Sequence, residues 1–285
     1  MINSQSCNAG VASLLFPLAT AIFVAAQSLP QLPPSDLIRA VVHTELASSG
    51  PDIQWKYVLE KQVDGKQETR EVVETKSGSL DRLLAIAGKP LTDSQQYDEL
   101  QRLLRLSHDP EAQRKLEHVR KKDADESVAL LKMIPDAFLF EDSGERAGPG
   151  GDWVKLKFKP NPSFQPQTRE GKVMHALAGN VWVDAKEQRL VSIDGQLLDD
   201  VKFAGGLLGH LEKGGRFSVK RSEIAHDQWE LTEMDINMHG KALLFKNISV
   251  HQKELHHDFE RVPDDLTIAG AAAMLTNKSL VAEKR

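Results

Sequence analysis

The sequence predicts an α+β fold that is mainly antiparallel β: a strongly curved meander or incomplete barrel of about ten strands, covered by helices and carrying a two-helix insertion. Three observations lead to this prediction. Apolar and polar residues alternate with a period of two in many short segments. Short turns join these segments in succession, as in an antiparallel meander. One long interval between them shows the apolar spacing of helices instead.

An apolar run at the N-terminus predicts export. The run Val11–Ala26 contains no charge, and the first charged residue of the chain is Asp36. It is shorter than the roughly 20 residues that span a bilayer, and Pro17 interrupts it. We therefore expect residues 1–26 to be a cleaved signal peptide, 27–34 to be a proline-rich linker, and the mature protein to be periplasmic or secreted. The alternatives are an uncleaved anchor or a wrongly assigned start of the chain.

The composition excludes several classes of function. Cys7 is the only cysteine and precedes the apolar run, so the mature chain would contain no disulfide, catalytic thiol or cysteine-based zinc site. The net charge of −5 argues against nucleic acid as a partner, because phosphate binding requires an excess of Lys and Arg. No nucleophile elbow, phosphate loop, dinucleotide fingerprint or His-Glu-x-x-His motif occurs. The sequence thus predicts neither an enzyme nor a cofactor.

The first part of the mature chain predicts one helix followed by strands. The helix spans 35–49, with apolar residues three and four positions apart and a stop at Gly50 and Pro51. The period then becomes two, which places Trp55 and Tyr57 on the same face of the first strand. The sequence Asp-Gly that follows this strand predicts a hairpin turn, and two further strands follow it.

A helical pair interrupts the strand pattern. Two amphipathic segments, 92–107 and 110–134, are densely charged and carry only a thin apolar stripe. Because strand patterns stop before the pair and resume after it, we interpret 92–134 as an insertion that could be removed without unfolding the β domain. The domain is expected to span 35–275 as a single unit, followed by a charged tail at 276–285.

The strands after the insertion show the clearest alternation. In one of them Val154, Leu156 and Phe158 alternate with lysines, which predicts a buried and a solvated face. Near Thr232 the apolar parity switches, which predicts a β-bulge. A final apolar helix is expected at 264–275. We expect this helix and the one at 35–49 to cover the concave side of the sheet.

A glycine-rich connection, FAGGLLGHLEKGG at 203–215, is unusually apolar for a link between strands. Two interpretations are open. The glycines could allow a turn with positive φ while the leucines plug one end of the barrel. Alternatively, the segment is a mobile apolar lip that contacts an acyl chain, a membrane or a lipidated partner.

The segment GNVWVDAKEQRLVSIDGQL, at 179–197, resembles the repeated hairpin unit of the LolA/LolB-like superfamily of outer-membrane lipoprotein carriers. The order of an export signal, an N-terminal helix and a run of strands is similar too. The resemblance extends over 36–87 and 137–262, and the helical pair has no counterpart in it. It implies an incomplete, strongly curved barrel whose helices lid an apolar cavity, and a ligand that is an acyl chain or a lipid-modified protein.

The histidines near the C-terminus form the densest ionisable cluster. His251, His256 and His257 lie within seven residues, next to Asp258. They could hold a metal only if the strand is regular and a further ligand converges on them. We interpret them as exposed side chains of a polar edge strand.

Two functional hypotheses follow. The first is a periplasmic or outer-membrane-associated binding protein that holds a lipid, an acyl chain or a lipidated protein in an apolar cavity, without covalent chemistry. Its ligand-binding residues are expected to be aromatic and apolar: Trp55, Tyr57, Trp182, Phe203, Leu207, Leu208 and Leu211. The alternative is a scaffold protein with a self-filled barrel, which binds a protein partner through the charged helical arm at 92–134. Peripheral membrane contact fits the first hypothesis.

Overall fold

The computed structural model describes residues 32–48, 53–206, 209–242 and 246–282. The expected signal peptide and most of the linker lie outside the described residues. So do Leu207 and Leu208, two of the residues expected to bind the ligand.

The described residues form five α-helices and thirteen β-strands. The helices are α1 (Pro34–Ser48), α2 (Asp93–His108), α3 (Pro110–Ala137), α4 (Arg169–Met174) and α5 (Ile268–Ala282). The strands before α4 are β1 (Gln54–Val63), β2 (Lys66–Thr75), β3 (Gly78–Ile86), β4 (Lys89–Pro90), β5 (Phe138–Ala147) and β6 (Trp153–Pro160). The strands after it are β7 (Leu177–Asp184), β8 (Arg189–Leu197), β9 (Val201–Phe203), β10 (Gly209–Leu211), β11 (Arg216–Ala225), β12 (Gln228–Ala242) and β13 (Lys246–Val262).

All strands belong to one antiparallel sheet in the order β4-β3-β2-β1-β13-β12-β11-β8-β7-β6-β5, with β9 and β10 attached beside β12. The two end strands of this order, β4 and β5, do not pair, so the sheet is not closed into a barrel. The predicted α+β fold with an antiparallel meander covered by helices is confirmed. The bulge predicted near Thr232 is confirmed as well, because the register between β11 and β12 skips this residue.

The register defines two faces of the sheet that can be followed from strand to strand. On one face Leu156 lies opposite Val181, and this row continues through β8, β11 and β12 to Glu254 in β13 and Lys61 in β1. We call this the α1 face, because α1 packs on it. Trp55 and Tyr57 alternate in phase with Lys61 and therefore share this face.

The larger hydrophobic core lies between α1 and the strands β5 to β8. Leu37, Ile38 and Val41 from α1 pack with Leu156 and Val181 from the sheet, and all five are at most 4% exposed. The end of α3 adds Leu130, Leu131, Met133 and Ile134. Removing this apolar surface from water is what fixes α1 to the sheet.

A second core lies on the opposite face, under α5. Val73 and Leu80 are opposite each other in β2 and β3, and they pack with Leu103 of α2 and Leu275 of α5. Val73 also lies opposite Lys56, one position out of phase with Tyr57. The expectation that both outer helices cover the same side of the sheet is therefore wrong: α5 covers the other face, which we call the α5 face. The apolar residues of β2 face both ways, and each face needs its own cover.

Helix α3 connects the two cores. Near its start Leu116 packs against the second core, and its last two turns join the first. Residues 121–127 between these contacts are all exposed. The predicted insertion is thus present, but it ends at Ala137 and contributes side chains to both cores. The last helix, α5, reaches Ala282, so the expected charged tail begins inside a helix. None of the helices among the described residues has the length and apolar character of a membrane span.

Candidate functional site

A polar groove runs across the α5 face, over the strands that α5 does not cover. Its side chains point away from the core under α1. They form two rows across β6, β7, β8, β11, β12 and β13, and within each row the residues on neighbouring strands are register partners. The first row is Lys157, Asn180, Asp194, Ser218, Asp235 and Lys253. The second row, which starts in β7, is Ala178, Gln196, Arg216, Asn237 and His251.

The groove encloses a cavity of about 720 Å³. Cavities of roughly 300–1,000 Å³ are typical of small-molecule sites. A second cavity, of about 320 Å³, shares Ser218, Asp235 and Lys253 with the first and extends to Glu60 and Gln62 of β1. Neighbouring strands are about 4.8 Å apart. The groove crosses seven strands, from β6 to β1, and is therefore elongated, with a span on the order of 30 Å.

Two opposed glycines lie under the middle of the groove. Gly179 in β7 and Gly195 in β8 are register partners, and their missing side chains belong to the α1 face. A Cβ on Gly179 would lie 1.9 Å from the carbonyl oxygen of Asp194, and one on Gly195 would lie 2.8 Å from the ring of Phe217. No larger residue fits these contacts. The glycines therefore fix how closely β7 and β8 approach, and with it the positions of Asn180 and Asp194.

The charges of the groove are incompletely paired. Asn180 donates a hydrogen bond of 3.1 Å from Nδ2 to Oδ2 of Asp194, and Nζ of Lys253 forms an ion pair of 3.2 Å with Oδ2 of Asp235. Within the described part of the chain, Lys157 and Arg216 take part in no ion pair. The groove thus offers two free cations, together with amide and carboxylate groups that donate and accept.

One buried polar atom in the groove lacks a partner. Oδ1 of Asn237 is inaccessible to solvent, and no group among the described residues donates a hydrogen bond to it. An unsatisfied buried acceptor costs about 1–3 kcal/mol. Asn237 lines the cavity, so a turn of its amide toward the groove would expose this oxygen to a ligand donor and remove that penalty. This atom distinguishes the groove from an ordinary solvated face of a sheet.

The structure places Trp182 beside the groove. It lies on the α5 face, one row beyond Asn180 and opposite Lys155. Nζ of Lys155 is 5.7 Å from the centroid of the Trp182 ring and also forms an ion pair of 3.0 Å with Glu145. The half-buried indole thus forms an amphipathic border to one end of the groove.

The other residues expected to bind a ligand are elsewhere. Trp55 and Tyr57 lie on the α1 face, where Trp55 is 5% exposed and both rings contact Phe259. Phe203 and Leu211, in the short strands β9 and β10, pack partly buried against the core under α1. The structure therefore divides the expected set among three places.

The three histidines do not converge. His256 lies on the α1 face and stacks on Tyr57 with the ring centroids 5.2 Å apart. His257 lies beside Asp258 at 3.1 Å, at a bulge where Asp258 has φ 57°. His251 belongs to the second row of the groove, opposite Asn237. The strand is regular from His251 to His257, and its alternation puts His256 on the α1 face while His251 and His257, six positions apart, lie on the other face. It is an inner strand between β1 and β12, so the expectation of an edge strand is wrong.

Sequence reasoning missed most of the groove residues. Asn180, Asp194, Arg216 and Asn237 lie between apolar residues or glycines, as polar residues do on any solvated face of a sheet. The opposed glycines in GNVWVD and SIDGQL were the available signal.

No protein-family model matches the chain, and no curated protein matches it either.

Proposed function

We propose that this chain is a binding protein without covalent chemistry, which holds an elongated, hydroxyl-rich ligand of the oligosaccharide class in the polar groove. The observation that carries the proposal is the buried, unpaired Oδ1 of Asn237 in a groove of about 720 Å³ lined by amides, carboxylates and cations. Once the Asn237 amide turns toward the groove, a ligand hydroxyl supplies the donor that this oxygen lacks.

The side-chain chemistry of the groove suits sugars. Amide groups donate and accept at once, and ionised carboxylates accept at two oxygens, so neighbouring pairs such as Asn180 and Asp194 match adjacent hydroxyls. The Trp182 ring offers an apolar surface to the C–H face of a sugar at one end. Lys157 and Arg216 also favour acidic substituents on the ligand.

The exported carrier of a lipid, an acyl chain or a lipidated protein is the second candidate. It draws on the resemblance to the LolA/LolB-like carriers and on the half-buried Phe203 and Leu211 at the edge of the first core. We rank it second because side chains of the chain itself fill the space between α1 and the sheet, where an apolar ligand would have to bind. Export to the periplasm is compatible with both candidates.

The test is calorimetric titration of the protein with neutral and acidic tetrasaccharides and with dodecanoate. We expect saturable binding of a tetrasaccharide, and loss of at least tenfold in affinity in Asn237→Leu. The same substitution should maintain or raise the thermal stability, because it removes an unpaired oxygen. Ser222→Ala, on β11 outside the groove, is the matched control and should change neither.

The outcomes separate the candidates. Binding of dodecanoate that is lost in Phe203→Asp, without binding of any saccharide, would favour the lipid carrier. Absence of binding to both classes would contradict both candidates and favour the scaffold hypothesis, in which the exposed part of α3 contacts a protein. An Asn237→Leu variant that binds saccharides normally would show that the groove is not the site.

A further inference from the structure

A second cavity, which shares no residue with the polar groove, lies at the end of the sheet where β7 turns into β8. Its volume is about 310 Å³, within the range of small-molecule sites. The connection from β5 to β6 contributes Asp152, and the turn from β7 to β8 contributes Glu187. Two tryptophans at strand ends, Trp153 of β6 and Trp229 of β12, complete its walls. The cavity thus combines aromatic rings with carboxylates.

Both indole rings are held in place by carboxylates of the hairpin that joins β7 to β8. Nε1 of Trp153 donates a hydrogen bond of 3.2 Å to Oδ2 of Asp184, and Nε1 of Trp229 donates one of 3.3 Å to Oε2 of Glu187. Oδ1 of Asp184 accepts the backbone N–H groups of Lys186 and Glu187, at 3.0 Å and 2.9 Å. The rings therefore have a fixed orientation in the cavity wall.

A glycine secures the Trp153 ring from one side. A Cβ on Gly148 would lie 2.5 Å from Cγ of Trp153, 2.6 Å from Cδ2 and 2.7 Å from Cδ1. The backbone of Gly148 therefore packs directly on one face of the indole. Gly148 also has φ +76°, a conformation that favours glycine. A larger residue here would displace the ring that lines the cavity.

The carboxylates of the cavity have few cationic partners. Four line it: Asp152, Asp184, Glu187 and Glu223. Glu223 lies 3.9 Å from His226, whereas the other three take part in no ion pair within the described part of the chain. The groups that donate to Asp184 and Glu187 are neutral N–H groups, so these carboxylates keep their full negative charge.

The cations beside the cavity do not balance this charge. Lys186 and Arg221 line the cavity. Arg221 forms an ion pair with Glu45, which also pairs with Arg189 at 3.6 Å. When Glu45 and Arg189 are counted with the lining residues, five carboxylates stand against three cations. The excess of negative charge favours a cationic ligand over a neutral or anionic one.

We propose that this cavity binds a small methylated ammonium compound. The indole rings of Trp153 and Trp229 contact its methyl groups and attract its positive charge, and Asp152 and Glu187 add the attraction of opposite charges. A quaternary ammonium group donates no hydrogen bond, which suits carboxylates whose oxygens already accept N–H groups. This site is separate from the polar groove and does not depend on the function proposed for it.

The probe is choline, titrated by calorimetry at pH 8 into the full chain. We expect saturable binding. The neutral compound of the same shape, 3,3-dimethylbutan-1-ol, should bind about tenfold more weakly, and ethanolamine, which has the charge without the methyl groups, about fivefold more weakly. The absence of saturable choline binding, or binding of either analogue as strong as that of choline, would overturn the proposal.

Variants locate the bound choline. Glu187→Gln removes a charge but keeps an oxygen that can accept from Trp229, and should weaken choline about fivefold while leaving 3,3-dimethylbutan-1-ol unchanged. Glu233→Gln is the matched control, because Glu233 pairs with Lys220 at 2.7 Å and does not line the cavity. It should not change choline affinity.

Trp153→Leu removes an aromatic wall and should weaken choline about tenfold. Thermal unfolding of each variant shows whether it is folded at the temperature of the titration, and Glu187→Gln provides the test if Trp153→Leu is not. Full choline affinity in Glu187→Gln, or in a folded Trp153→Leu variant, would overturn the assignment to this cavity.

Discussion

Val72 and Val73 are adjacent in β2, both are buried, and they face opposite sides of the sheet. Val72 lies opposite Tyr57 on the α1 face, and Val73 lies opposite Leu80 on the α5 face. They are 5% and 0% exposed. The sheet is thus covered on one face at the β5 to β8 end and on the other face at the β2 to β3 end. Helix α3, which contributes to both cores, links the two.

Removal of the helical pair is the first prediction. Replacing 92–136 with a short Gly/Ser linker deletes Leu103, which is 0% exposed, and the four α3 residues that enter the first core. We expect an aggregated or unfolded protein without a cooperative urea transition, contrary to what the sequence pattern alone suggested. Circular dichroism and urea titration would measure it.

The control for this deletion changes only the exposed middle of α3. Alanine substitutions at Lys121, Asp123 and Asp125 should leave the urea midpoint nearly unchanged, since these side chains are exposed. A deletion variant that retained a cooperative transition would mean that the two cores hold without α3.

A contact between Gly78 and Leu116 supplies the second prediction. Gly78 has φ +131°, and a Cβ there would lie 3.1 Å from Cβ of Leu116. Gly78→Ala should therefore combine backbone strain with displacement of α3, a loss of roughly 2–3 kcal/mol in the free energy of unfolding. Gly65→Ala is the matched comparison, because Gly65 has φ +81° but nothing within 4 Å of its added Cβ. Equal losses in the two variants would show that the Leu116 contact contributes nothing.

The third prediction concerns Glu74 and pH. Burial raises its pKa from 4.5 to about 7, so the folded state binds this proton more tightly than the unfolded state. Stability contributed by Glu74 is present below its unfolded pKa and falls as the pH rises toward 7. Glu74→Gln keeps an acceptor for the Trp55 N–H and stays neutral. It should match the wild type near pH 4 and exceed it at pH 8 by about 1–3 kcal/mol.

Urea unfolding at pH 4, 6 and 8 measures the difference between the two proteins. Glu233→Gln serves as the reference for loss of an exposed glutamate. A difference between Glu74→Gln and the wild type that did not change with pH would contradict the raised pKa.

The sequence predicted the local features of the fold, such as alternation and bulges, but not the pairing of strands that are far apart in the chain. Period-two alternation in β6 and the parity switch at Thr232 follow from side-chain burial, so both could be predicted. The pairing of β1 with β13 joins residues about 200 positions apart, such as Lys56 and Glu260, and no local pattern encodes it. That pairing places Trp55 against Phe259 of β13, a contact that no local pattern indicates.

The candidate site was harder to predict because its residues follow the same sequence patterns as residues with a purely structural role. In the sequence, Asn237 is one polar residue of an alternating strand. Only the structure shows that its Oδ1 is buried without a hydrogen-bond partner among the described residues. Trp182 was predicted to be a ligand-binding residue, but the face of the sheet on which it lies was not assigned. Whether Trp182 or any other residue of the expected set contacts a ligand stays a prediction.

Glu45 provides the last prediction. It is a charged residue on the apolar stripe of α1, a feature that is visible in the sequence. It follows Val41 and Val42 at helical spacing, on the stripe that faces the sheet, and is 5% exposed. There it forms ion pairs with Arg221 and, at 3.6 Å, with Arg189, and accepts the Leu190 backbone N–H at 3.0 Å.

Glu45→Ala should leave two largely buried guanidinium groups without their carboxylate partner, and the Leu190 N–H without its acceptor. Breaking a buried ion pair in this way costs about 3–5 kcal/mol, so we expect a large fall in the urea midpoint. Adding Arg221→Met should restore part of it, because the second change removes one of the stranded charges. Urea titration of the two single variants and the double variant forms a complete mutant cycle. Additive losses, without recovery in the double variant, would show that Glu45 stabilises α1 by packing and not through its arginine partners.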